Sequence, residues 1–148
     1  MAATADEKIV ARRYERLNKK KLSGLPLVVE SKIVSLKAKD LISSLKKILG
    51  DVLFEVSLKQ RSVRSGKGKM RGKKYKKNLG MLLVIGNKEK LKTNLIDIKN
   101  VKGLNVTDLA NGGIGRLTMY TEEAIKELGD KFTSSSKDQT KEIGKKIK

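Results

Sequence analysis

Gly80-Met81-Leu82-Leu83-Val84-Ile85-Gly86 decides the fold. Five apolar residues stand in a row between two glycines. A strand with one wet face would alternate apolar and polar residues. An unbroken run suits a strand covered on both faces, the arrangement of a parallel sheet between two helical layers. Leu27-Val28-Val29 reads as a second buried strand. Between the two, Leu36, Leu41, Ile42, Leu45, Ile48 and Leu49 recur at helical spacing, and Gly50 stands where a helix C′ glycine would stand. Val52, Leu53, Phe54, Val56 and Leu58 can anchor the next segment on the core.

Downstream, Leu95-Ile96-Asp97-Ile98 predicts a short strand, and Asn105 to Leu109 a helical turn with Thr107 or Asp108 as local cap. Asn111-Gly112-Gly113 and Gly115 make a turn, and Arg116 to Tyr120 alternates as a strand. Thr121 is an N-cap candidate, with Glu122 and Glu123 placed to favour the helix dipole. Ala124, Ile125, Leu128 and Phe132 supply that helix's buried face. Strands alternating with helices define an α/β class with a mostly parallel three- to four-stranded sheet. The 87–93 connection is short for a crossover and holds one helical turn at most.

The 148 residues include 35 Lys plus Arg against 16 Asp plus Glu, a net charge of +19. Such a chain attracts polyanions, phosphate backbones first among them. Without Cys there is no thiolate zinc site or cysteine nucleophile, and without His no Ser-His-Asp triad or histidine base. No apolar run approaches the ~20 residues that cross a bilayer, and no secretory signal is read at the N-terminus. Asp97, Asp108, Glu122 and Glu123 are scattered and mark no catalytic or metal site.

The charge is concentrated. From 59 to 77 the chain reads KQRSVRSGKGKMRGKKYKK, with Lys59, Arg61, Arg64, Lys67, Lys69, Arg71, Lys73, Lys74, Lys76 and Lys77 and no acid. These ten carry more than half of the excess charge of +19. Arginines offer forked donors to phosphate oxygens and lysines offer point charges. Gly66, Gly68 and Gly72 let the backbone approach a phosphate ridge. Tyr75 is the one aromatic, too few for a base-stacking platform, so phosphate and shape contacts on folded RNA are expected. Gly66 to Gly72 fits neither phosphate-loop pattern: position 67 is Lys67 where a P-loop needs glycine, and Lys74 stands in place of Ser or Thr. A long basic loop held at both ends is the reading.

At the N-terminus, residues 1–21 read as a basic helix, with Thr4 as N-cap and Glu7 completing a capping box. Ile9, Val10, Tyr14 and Leu17 form its docking stripe. Arg12, Arg13, Arg16, Lys19 and Lys20 form a second RNA-facing set. Core-forming positions end near Phe132. Residues 1–132 are expected to make one α/β RNA-binding domain, and 133–148 a flexible Lys-rich tail.

RSVRSGKGKMRGKKYKK at 61–77 resembles the basic loop of the archaeal and eukaryotic members of the universal large-subunit ribosomal protein L-four family. LPLVVES at 25–31 is similar to that family's first strand, and NVTDLANGGIGRLTMYTEEAIKEL at 105–128 to its closing strand and helix. Ala2-Ala3-Thr4-Ala5 resembles the "A-A-T-A" at the start of a family helix. The likeness is closer to archaeal than to eukaryotic members. It implies a Rossmann-like sheet and a structural ribosomal RNA-binding role in the cytoplasm among neighbouring ribosomal proteins. It implies no enzyme, cofactor, metal, membrane or small-molecule substrate. It also carries the family's RNA contacts onto Arg61, Arg64, Lys67, Lys69, Arg71, Lys73, Lys74 and Lys76. Family members have an N-terminal part and a tunnel-reaching loop ahead of "A-A-T-A"; this chain has Met1 at that point, as a fragment of a longer protein or a shortened relative would, so the resemblance assigns it no tunnel-lining role. A regulatory basic module for an acidic protein or non-ribosomal RNA is the alternative reading.

Overall fold

Met81, Leu83 and Ile85 point to one side of their strand and Leu82 and Val84 to the other, and all five are buried. The computed structural model describes residues 1–14 and 24–133. Its elements, in chain order, are α1 (Ala2–Ala5), α2 (Glu7–Arg13), β1 (Leu27–Val29), α3 (Ala38–Ser57), β2 (Arg61–Val63), β3 (Tyr75–Lys77), β4 (Leu82–Ile85), β5 (Asp97–Asn100), α4 (Val106–Ala110), β6 (Thr118–Thr121) and α5 (122–133).

The main sheet has the order β1-β6-β4-β5 and every pairing in it is parallel. The predicted α/β class and parallel sheet are therefore present. One core layer joins Leu41, Leu45 and Leu49 of α3 to Met81, Leu83, Ile85, Leu117 and Met119. The other joins Leu82, Val84 and Tyr120 to Leu109 of α4 and to Ala124 and Leu128 of α5. This two-sided burial is why the 81–85 run carries no polar residue. Gly50 interrupts α3 with φ 68° and ψ 171°, so the C′ glycine stands where expected and a second short helical stretch follows it.

Several details differ from the sequence reading. Val28 of edge strand β1 is exposed rather than buried, and Ile125 and Phe132, expected on the buried face of α5, are 41% and 58% exposed, because only Ala124 and Leu128 of that helix meet the sheet. β6 begins at Thr118, so Arg116 lies ahead of the strand. Thr4 caps nothing: it is buried inside α1, where its hydroxyl donates to Met1 O at 2.7 Å and lies 3.3 Å from the Tyr120 hydroxyl. Asp6 ends α1 and caps α2 by accepting the Lys8 N–H at 2.9 Å, so the expected continuous helix is divided. Tertiary contact claims the hydroxyl that the local motif would have used. Next, Asn105, rather than Thr107 or Asp108, is the N-cap of α4, in a capping box with Asp108. The third strand begins two residues later than expected, at Asp97, whose N–H bonds Met81 O at 3.1 Å. In keeping with the short connection expected there, the chain from β4 to β5 is a turn and loop without a helix. It is tied down by side chains: the Glu127 carboxylate accepts the Asn87 N–H at 3.0 Å and its amide at 2.5 Å, and Asn87 Oδ1 accepts the Lys102 N–H at 3.0 Å.

Among the described residues no helix is long and apolar enough to cross a membrane.

Candidate nucleic-acid interface

The segment expected as a loop is a β-hairpin. Antiparallel β2 and β3 pair Arg61 with Lys77, Ser62 with Lys76 and Val63 with Tyr75. Arg64 N–H continues the ladder to Lys74 O at 2.9 Å. Alternation of Ser62-Val63 with Tyr75-Lys76 supports strand pairing locally, a signal that the density of lysine and glycine obscures. The tip turns through Gly66 and Gly72, both at positive φ (83° and 77°), around a single 3-10 turn at Lys67–Lys69. Glycine is needed at those two positions because an L side chain is strained there.

Every residue from Arg61 to Lys77 is exposed, and Met70 at the tip is 82% exposed. The arm thus presents Arg61, Arg64, Lys67, Lys69, Arg71, Lys73, Lys74, Lys76 and Lys77 to solvent with no carboxylate among them. Arg61 and Lys77 face each other directly across the ladder, a like-charge pair that destabilises an isolated hairpin. Lys74 Nζ lies 5.6 Å from the Tyr75 ring centre, so the lone aromatic already has a cation on it.

A two-stranded ribbon is marginal by itself. Here its neck is locked to the body. Asn78 Oδ1 accepts the Gln60 N–H at 2.6 Å, and Asn78 Nδ2 donates to Leu58 O at 3.0 Å. Lys59 N–H bonds Leu95 O at 2.8 Å, and Met81 N–H bonds Ser57 O at 2.8 Å. Gly80 has φ +61°, and a Cβ there would lie 2.6 Å from Ser57 O, so the two strands of the neck approach closely only because residue 80 has no side chain.

Beneath the neck lies Arg116, 1% exposed. It donates to Gly80 O at 3.2 Å, Leu79 O at 2.9 Å and Asp108 O at 3.0 Å, and it forms an ion pair with Asp97. Asp97 also pairs with Lys59, the first basic residue of the arm. Burial would raise the Asp97 pKa, but hydrogen bonds from Lys59 and Arg116 outweigh it and hold the carboxyl below its ordinary 3.8. From sequence, Arg116 reads only as a strand residue, and Asp97 as a strand residue among scattered carboxylates that mark no site. The R-L-T at 116–118 carried no sign that its arginine would support the arm.

Arg12 is exposed at the end of α2, whereas Arg13 spends its fork on Gly113 O at 2.5 Å and Asn111 O at 2.7 Å. Arg13 therefore ties α2 to the turn ahead of β6, with its guanidinium 5.5 Å from the Tyr14 ring centre. Arg16, Lys19 and Lys20, with Leu17, lie outside the described residues, as does the expected tail beyond residue 133.

The arm leaves the sheet beside the start of β4, the end opposite the carboxyl-end crevice where open α/β sheets usually hold small ligands. At that crevice Glu89 Oε2 accepts the Gly86 N–H at 2.7 Å and the Thr121 hydroxyl at 2.8 Å. A carboxylate placed there suits an anionic cofactor poorly. Among the described residues there is no cluster of three or more metal-ligating side chains.

These features define a class: a parallel α/β fold carrying a rigidly rooted, strongly basic hairpin arm. Comparison with curated proteins places it more narrowly. The chain is 35% identical over 139 residues to large ribosomal subunit protein uL4 of Methanosphaera stadtmanae, covering 89% of this chain and 53% of that protein. It is 37% identical over 140 residues to uL4 of Methanocaldococcus jannaschii, covering 89% and 54%. With uL4 of Thermoplasma acidophilum the figures are 37% over 134 residues, 86% and 52%. No family model matches the chain. The chain is a homologue of the archaeal uL4 ribosomal proteins, and it spans about half the length of the curated relatives it matches.

Proposed function

We propose that the chain is a structural, non-catalytic constituent of the large ribosomal subunit that binds ribosomal RNA through the hairpin arm, beside other ribosomal proteins in the cytoplasm. The observation that carries this reading is the arm itself: ten basic residues from Lys59 to Lys77, no acid, and a neck fixed to a folded body. Homology to uL4 over nine-tenths of the chain supports the ribosomal setting. Arg61, Arg64, Lys67, Lys69, Arg71, Lys73, Lys74, Lys76 and Lys77 act as phosphate donors, while Gly66, Gly68 and Gly72 let the tip bend against the phosphate ridge. Arg12, exposed at the end of α2, adds a further cation to this surface, and Arg16, Lys19 and Lys20 are proposed as further RNA contacts. Residues 1–132 act as one unit in this role, and 133–148 as an appended basic tail.

Energetically, the like-charge pairing of Arg61 with Lys77 is relieved when phosphates lie over it, so part of the electrostatic gain on binding is repulsion already stored in the free arm. The test is sedimentation with large ribosomal subunits washed at rising salt. Retention after a high-salt wash is expected. Loss at modest salt means polyanion binding without integration. Tight one-to-one capture of an acidic protein that survives nuclease would favour the alternative, a regulatory module.

A further inference from the structure

A pocket of about 670 Å³ lies between the end of α2, the second stretch of α3 and the hairpin neck. Its walls include Arg13, Tyr14, Glu55, Gln60, Lys77 and Gly112. The composition differs from that of the arm. Glu55 is exposed, and its carboxylate forms no ion pair with any described residue although it stands beside a segment bearing ten cations. Arg13 is held by Gly113 O and Asn111 O, so its fork is not free to clamp a phosphate; its guanidinium lies 5.5 Å from the centre of the Tyr14 ring, which packs against the core and whose hydroxyl accepts the Leu117 N–H at 3.3 Å, so this flat wall of the pocket is fixed in place. Lys77 places a phosphate donor at the rim.

We propose that this pocket receives one unstacked guanine of the RNA that the arm binds, a reading that rests on the RNA-binding role above. The space exceeds the volume of a nucleobase. A carboxylate repels a phosphate but accepts two parallel hydrogen bonds. Guanine alone among the four bases presents two adjacent donors, N1–H and the 2-amino group, on its Watson–Crick edge. Adenine and cytosine offer a single amino donor beside acceptors, and uracil offers one imino donor between carbonyls. Glu55 therefore selects guanine, Lys77 takes the attached phosphate, and Arg13 with Tyr14 supplies the stacking face.

The test uses the full chain and a set of short RNA stem-loops identical except for one bulged position, carrying G, A, C, U or an abasic site. At fixed salt, the G bulge is expected to bind about tenfold tighter than the abasic RNA, the scale of one bidentate pair. Glu55→Gln discriminates further. If Glu55 reads guanine, E55Q erases the G advantage while leaving abasic binding unchanged or tighter. If Glu55 is only surface charge, E55Q tightens all five RNAs alike, which overturns the proposal. Equal binding of all five by the unmodified chain, with strong salt dependence intact, overturns the guanine pocket but not the arm. Absence of salt-dependent binding to any of them overturns both.

Discussion

The Asn78 side chain closes the arm onto Gln60, eighteen residues away: its carbonyl accepts the Gln60 N–H at 2.6 Å. The same amide donates to Leu58 O at 3.0 Å, so one residue bridges both strands of the neck. Asn78 is exposed and carries no charge, yet it ties the neck of an arm that holds nine exposed cations. Replacing it by Ala removes two hydrogen bonds, a loss of about 1–2 kcal/mol in a local unfolding event. Amide exchange should therefore accelerate at Gln60 and Arg64 in N78A, while β4 and β6 amides keep their protection. Unchanged exchange across 59–78 would show that Asn78 does not hold the neck.

Asp97 makes stability depend on acidity. Its pairing with Lys59 and Arg116 holds its pKa below 3.8 in the folded chain, so the unfolded chain binds the proton more readily. The pairing thus contributes stability that is fully present above about pH 4 and is lost as pH falls through the depressed value. Acid titration of stability should show this loss in the native chain and lack that component in Asp97→Asn. At pH 7, D97N should cost about 2 kcal/mol, because a charge-assisted bond to a buried arginine becomes a neutral one. A native-like acid profile in D97N would contradict the assignment.

Gly80 and Gly115 are both close-approach positions. A Cβ at Gly115 would lie 2.8 Å from Ile9 Cγ2 and 2.9 Å from Ile9 O, with φ +80°. Ala at either position combines a backbone clash with strained φ and should cost at least about 2 kcal/mol in denaturant unfolding. Ala at Gly50, where φ is +68° but nothing lies within 4 Å of the Cβ position, should cost less, about 1 kcal/mol. Equal effects at Gly50 and Gly80 would mean that strain rather than the neck contact dominates.

Leu83 sits in the central strand, fully buried against the α3 layer. Leu83→Ala should destabilise by about 2–5 kcal/mol. Met70→Ala, at the exposed tip, should change stability by less than about 0.5 kcal/mol. Chemical denaturation of the two variants checks the contrast between body and arm.

The body was legible in the sequence because burial on two faces leaves unbroken apolar runs. Met81 to Ile85 and the Leu41-Leu45-Leu49 series report their own environment, whereas Leu27-Val28-Val29 has the same apolar look at a sheet edge that leaves Val28 exposed. The arm's location was equally legible from its charge, but its hairpin form was not. Three cross-strand pairs, one of them Arg61 with Lys77, carry no propensity signal that outweighs seven lysines and three glycines. The supports of the arm were hidden for a different reason. Asp97, Arg116, Asn78 and Gly80 work through contacts between residues 18 to 38 apart in sequence, and no local pattern encodes such pairings. Thr4 shows the reverse error, a good local capping motif overruled by its contact with Tyr120.

An arm that grips RNA by its phosphates, as proposed, must release it as salt rises. The most direct measurement is the affinity of the chain for a large-subunit RNA fragment at several salt concentrations, repeated with Lys67, Lys69, Arg71 and Lys73 all changed to Gln. If about half of the ten cations meet phosphates, the log–log slope for the native chain should lie near −3.5 to −4.5. Each removed contact then lowers its magnitude by about 0.7–0.9. A flat salt response of the native chain, or a slope unchanged by the four substitutions, would contradict the account.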